Sequence, residues 1–139
     1  MDDRATVSLL NAILPRLSRS LAVYLADATP WIPPQRERLQ VELAAMAADH
    51  REYGDRLAAL ILDLHGRIGL SGFPMEYSDL HDVSADFLLT RLICDTQATL
   101  AAMGRAVGRL DEGSPARQLL EEICGNLQGH LDILQGAAA

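Results

Sequence analysis

The chain contains no lysine. Its 12 basic side chains are all arginine, scattered among 19 acids for a formal charge of -7. Arginines interspersed with acids do not build the continuous basic face that a phosphate backbone requires, which argues against nucleic acid as a partner. Aromatic residues make up only 4% of the chain while 49% is apolar, so the core has to come from Leu, Ile, Val, Met and Ala. That palette, poor in strand formers, suits closely packed helices. There are only two cysteines, Cys94 and Cys124, too few for a disulfide framework. No run reaches the 18 or so apolar residues of a membrane span, and MDDRATVSLL at the N-terminus lacks the basic start and apolar stretch of a signal peptide. A reducing cytoplasm is the default expectation. Neither a Ser-His-Asp order nor a Gly-rich phosphate loop is present, and Glu-x-x-His occurs nowhere.

A length of 139 residues fits a single domain, 1–139, large enough to bury a core without staples. Apolar residues recur at three- and four-residue spacing over four segments. The first runs from about Thr6 to Ala28 through Leu10, Ile13, Leu14, Leu17, Leu21 and Leu25, with Pro15 expected to kink it or shift its start. TPWIPP stops it, and Pro33 and Pro34 suit the opening of a long second helix, about Pro34 to His65, closed by Gly66 or Gly69. The third begins after Asp82 or Ser84 as a cap and passes through Phe87, Leu88, Leu92, Thr96 and Met103 to about Leu110. Ser114-Pro115 then starts the fourth, which carries Leu119, Leu120, Ile123, Leu127, His130, Leu131 and either Ile133 or Leu134. Residues 67–84, rich in Gly, Pro and Ser, read as one long crossover with a short turn near Ser78 to His81. A connection of that length lets the second and third helices run parallel. In the resulting antiparallel four-helix bundle Cys94 and Cys124 lie at heights roughly 9 Å apart, at about 1.5 Å per residue, so no bridge between them is expected.

The order of these helices, with the crossover in the middle, resembles the ferritin-like superfamily of bacterioferritins, rubrerythrins and related small bacterial proteins. LNAILPRLSRSLAVYL at 10–25 is similar to their first helix, DHREYGDRLAALILDL at 49–64 to their second and NLQGHLDIL at 126–134 to their fourth. In that superfamily each helix supplies a glutamate, and the second and fourth add a histidine three residues on, to hold two irons. Matched helix by helix, the glutamate of the first helix falls at Leu17 and the second-helix pair at His50 and Tyr53. The third-helix position falls at Thr96 or Gln97 and the fourth-helix pair at Leu127 and His130. The resemblance therefore implies the fold together with a degenerate di-iron site in which His130 alone keeps its ligand type. Two cations about 3.5 Å apart need bridging carboxylates to offset their repulsion, and leucines at 17 and 127 supply none.

What remains is a polar patch of His50, Tyr53, His130, Thr96 and Gln97, with Ser20 and Tyr24 nearby and Asp49 or Asp95 as an off-pattern carboxylate. Three readings stay open: core histidines bonded to Tyr53, Thr96 or water; one iron, manganese or zinc ion on His50, Tyr53 and His130; or another small ligand. The first is the simplest. His65 suits a helix C-terminus, and His81 between Asp79 and Asp82 reads as a loop-ordering contact. Tyr24 and Tyr77 read as packing groups, Cys94 and Cys124 as buried small residues without a basic neighbour, and Arg16, Arg19, Arg51 and Arg56 as solvated faces. No catalytic residue or organic cofactor is expected. The leading functional reading is a non-catalytic helical scaffold or interaction module, a homodimer or a docking platform for another protein, with Phe73, Met75 and Trp31 as its exposed apolar face. The alternative is a metal-binding or redox protein with an altered site around His50, Tyr53 and His130. Iron storage in a shell is a third reading, which the scattered acids disfavour.

Overall fold

A computed structural model of the chain describes residues 1–28, 30–69, 71–80 and 83–138. Helix α1, Asp3–Ser18, starts where the Asp2 carboxylate accepts the Ala5 amide at 2.8 Å, and it buries Leu10, Ile13, Leu14 and Leu17. Pro15 stays inside it. The interruption comes one turn later, at Arg19 (φ -124, ψ 32), where the Arg19 and Ser20 amides bond back to the Pro15 and Leu17 carbonyls. A second segment, α2, Leu21–Ala28, then begins. Ser20 caps it, with its Oγ accepting the Val23 amide at 3.2 Å and its carbonyl accepting the Tyr24 amide at 3.0 Å. The Leu21 and Ala22 amides find no acceptor among the described residues. The expectation of one helix kinked at its proline is corrected: the chain breaks where a serine can satisfy the new helix end.

After a 3-10 turn at Pro34–Arg36, α3 runs Glu37–Asp63. It closes at Leu64, with His65 in the left-handed region (φ 61) and the Gly66 amide on the Ile61 carbonyl at 2.9 Å. A Cβ at Gly66 would lie 2.5 Å from Val7 of α1, so glycine is required there by close approach. α4, Ala85–Arg109, is capped by Ser84, whose Oγ accepts the Phe87 amide; Asp82 and His81 lie outside the described residues. A turn through Gly113 (φ 77) leads to Ser114, which caps α5, Pro115–Ala138. This helix extends beyond the expected fade at the GAAA tail.

Helix directions follow from contacts at the two ends. The Met1 amine meets Asp111, and Gly66 meets Val7, so the start of α1, the end of α3 and the α4–α5 turn share one end. Arg36 pairs with Asp86 and reaches the Ala137 carbonyl, which gathers the starts of α3 and α4 and the end of α5 at the other. Thus α3 and α4 are parallel, and the first segment (α1 and α2) and α5 run against them. The crossover returns along α1 and α2 in order. Asn11 holds the Arg67 carbonyl and the Gly69 amide, Arg19 holds the Ser71 carbonyl and covers the Phe73 ring, and Tyr24 packs on Phe73 and Tyr77. Among its described residues the regular element is a 3-10 helix at Met75–Leu80, longer than the expected turn.

Two apolar clusters fill the bundle. One, around Leu10, Leu17, Leu57, Met103 and Leu120, lies toward the end with Met1; the other, around Leu25, Met46, Leu88 and Leu134, lies toward the end with Arg36. The stripes are largely those expected, with two corrections. Phe87 is exposed, because Leu88 and Leu89 take the inward positions, and Leu134 rather than Ile133 faces the core. No described helix is long and apolar enough to cross a membrane.

Candidate functional site

Polar side chains enter the bundle at the level where the two apolar clusters meet. Glu42 and Asp49 lie two turns apart on α3, hence on nearly the same face, and His130 of α5 projects between them. His130 Nδ1 bonds to Glu42 Oε1, and Nε2 bonds to Asp49 Oδ2 at 2.7 Å. Asp49 Oδ2 also accepts from Asn126 Nδ2 at 2.8 Å, leaving Asn126 Oδ1 buried without a partner. Both bonds to the imidazole are filled at once only when the trio holds two protons, so the cluster carries a net charge of -1 when it is complete. Partial burial pushes the Asp49 carboxyl up, but the bonds from Asn126 and His130 and the nearby imidazoles outweigh it and leave its pKa below the ordinary value.

His50 is held separately. Its Nδ1 lies 2.8 Å from Ser20 Oγ, and Nε2 is buried with no partner among the described residues. With the Ser20 hydroxyl donating to Nδ1, Nε2 carries the ring proton. Burial, then the proximity of His130, pushes the His50 pKa from 6.5 to about 4, against a smaller opposing pull from Asp49.

The remaining expected site residues divide. Thr96 is buried, with its hydroxyl on the Leu92 carbonyl at 2.7 Å, whereas Gln97 is exposed and takes no part. Tyr53 is half-buried and turned to the α3–α5 surface, where Arg56 covers its ring and pairs with Glu122. Partial burial and the Glu122 carboxylate raise the phenol's pKa. Leu17 and Leu127 are fully buried. Tyr24 and Tyr77 pack as expected, and Tyr77 also faces a cavity beside Asp95. The histidines' protein partners are therefore Ser20, Glu42 and Asp49 rather than Tyr53 or Thr96. Glu42 had a signal, namely a carboxylate inside the stripe Leu39, Leu43, Met46 and two turns before Asp49.

These donors do not fit a two-metal centre. Leu17 and Leu127, two positions where the resemblance leads one to expect carboxylates, are buried leucines, and both nitrogens of His130 are engaged by carboxylates. Among the described residues no group of three His, Cys, Asp or Glu side chains is placed to hold a metal ion. Elsewhere, Cys94 is exposed rather than buried, while Cys124 is half-buried and its thiol pKa is raised by burial and then by Glu121. Met75 and Trp31 are exposed (90% and 76%), but Phe73 is clasped between Tyr24 and Arg19 and drops out of the expected apolar face.

No protein-family model matches the chain, and no curated protein is significantly similar to it. Among solved structures, the bacterioferritin-related protein from Bacteroides fragilis, described as a dodecameric thioferritin, superposes with a TM-score of 0.78 over 99% of this chain and 86% of its own. The fold is ferritin-like. Identity over that match is 19%, so the likeness extends to the fold alone. Within this ferritin-like bundle, the helix that breaks at Ser20 is the first, and the Glu42–His130–Asp49 bridge occupies the middle.

Proposed function

We propose that this ferritin-like chain works without di-metal oxidation chemistry, as a helical scaffold or interaction module that assembles with copies of itself or with another protein. The observation that carries the reading is His130 bound at both ring nitrogens by Glu42 and Asp49. A metal ion at this imidazole has to displace a charge-assisted hydrogen bond worth about 1.5–3 kcal/mol and leave a carboxylate to find a new partner. The bridge joins α3 to α5 and ties the bundle together, a structural role for the residue that the resemblance marks as a ligand. Trp31, Val41 and Met75 stand exposed on the surface, where contacts with a partner would cover them. A homodimer is the simplest such assembly.

A second reading places a single ion near His50, Tyr53 and His130, favoured by the unpartnered His50 Nε2. Metal content after exposure to ferrous, manganous and zinc ions, measured for the protein and for His130→Ala, separates the two. The scaffold reading expects less than about 0.1 ion per chain in both proteins and a less stable variant. One ion per chain, lost in His130→Ala, would overturn it. Light scattering at micromolar concentration tests assembly, and a strictly monomeric protein would leave the scaffold reading dependent on a different partner.

A further inference from the structure

The break between α1 and α2 opens onto a cavity of about 280 Å³, walled also by α3, the crossover, α4 and Leu127 of α5. Hydrogen-bonding groups on its walls are unfilled among the described residues. One set is the N-terminus of α2, where the Leu21 and Ala22 amides lack acceptors among those residues and the helix dipole presents its positive end. His50, only 4% exposed, lines the same cavity; its buried Nε2 has no partner among the described residues and carries a proton when Ser20 donates to Nδ1. Arg16, exposed at the rim, makes no ion pair among the described residues. These groups ask for an anionic oxygen. Asp95 of α4, on the same lining, offers the opposite: its Oδ1 lies 3.5 Å from Arg91, and Oδ2 is buried with no partner among the described residues. That atom asks for a donor, preferably cationic. The lining also carries the apolar side chains of Met46, Leu92 and Leu127.

We infer that this cavity binds a small amino-carboxylate, with its carboxylate at the start of α2 and its ammonium on Asp95. The volume suits a molecule of amino-acid size, and a short aliphatic side chain fills the apolar stretch. A simple carboxylate would leave Asp95 unsatisfied beside it, and a simple amine would leave the α2 end empty; each costs the unmet group's desolvation. The inference is independent of the scaffold reading, since it rests on a different side of the bundle centre from the Glu42–His130–Asp49 bridge.

The test is calorimetric titration of the full chain with a panel: the common amino acids, the same carbon skeletons lacking the amine, the corresponding amines, and inorganic phosphate. At least one amino acid is expected to bind with a Kd below about 1 mM, and its deaminated analogue about tenfold or more weaker. Asp95→Asn is expected to erase that preference for the amine while leaving binding of the bare carboxylate unchanged. Arg16→Gln is expected to weaken amino acid and carboxylate together. Both positions are accessible enough for the variants to fold, which circular dichroism checks. The inference is overturned if nothing in the panel binds at about 10 mM, if phosphate or bare carboxylates bind as well as any amino acid, or if Asp95→Asn retains the amine preference. Failure on any of these counts leaves the scaffold reading standing.

Discussion

Acid should loosen this bundle through His50, and the size of the effect can be worked out. In the unfolded chain the imidazole takes up its proton near 6.5; in the folded protein burial holds the pKa near 4. Between those values the unfolded state binds the extra proton, so stability is full above pH 6.5, falls as pH drops toward 4, and levels off below it. Combining the two titrations gives a loss of about 2.4 kcal/mol between pH 7 and pH 4.5, a sizeable part of the ~5–15 kcal/mol that holds a domain folded. Asp49, held below its ordinary value, stays ionised at pH 4.5, so its own loss comes later, as pH falls through its depressed pKa. The clean comparison is urea unfolding of the wild type and His50→Gln at both pH values. The amide keeps an acceptor for Ser20 but does not titrate. The variant should be less sensitive to acid by about 2 kcal/mol, whatever its stability at pH 7. Equal losses in the two proteins would refute the buried neutral imidazole, as would a resonance assigned to His50 titrating near 6.5 in the folded wild type.

Two further outcomes follow from the packing. Ser20→Ala removes both the α2 cap and the His50 partner, so it should cost about 1–2 kcal/mol in urea unfolding and speed amide exchange at Val23 more than at Leu57; a change under about 0.3 kcal/mol would deny the cap its role. In the native protein Cys94, exposed on α4, should react with a thiol reagent at a rate near that of a free peptide, and Cys124 at least about tenfold more slowly, since burial both shields its thiol and raises its pKa. Equal rates measured by mass spectrometry would contradict the packing of α5.

The architecture was legible because apolar spacing reports burial directly. Leu10, Leu17, Leu57, Met103 and Leu120 all lie where a 3.6-residue period puts them, and residues 67–84 could connect parallel helices only by travelling the bundle. What was less legible depended on side-chain partners across helices. The break at Arg19 and Ser20 was only half announced: Ser20 is a cap residue by type, but its hold on His50 lies thirty residues away. Pro15 drew attention instead, although a helix can absorb a proline when the freed carbonyl is met elsewhere. The polar centre was half legible. His50, His130, Thr96 and Asp49 were named, but Tyr53 and Gln97 turn outward by a fraction of a turn, and Glu42 was hidden by the habit of reading a carboxylate as surface. Phe87 shows the converse: a large apolar residue at a helix start yields the core to Leu88 and Leu89 when the register puts them inside.

The interruption at Ser20 also divides the labour of folding along the first helix. Eight residues are too few to stay helical alone, so α2 depends on its packing against α3 and on the clasp of Tyr24 with Phe73 and Tyr77. α1 has twice the length and its own cap. A release of α2 therefore takes the crossover with it through that clasp, while α1, α3, α4 and α5 keep their packing on one another. Such a partial opening uncovers His50 and the cavity beside it without dissolving the bundle, giving solvent and solutes a route to the centre that an unbroken helix would have closed.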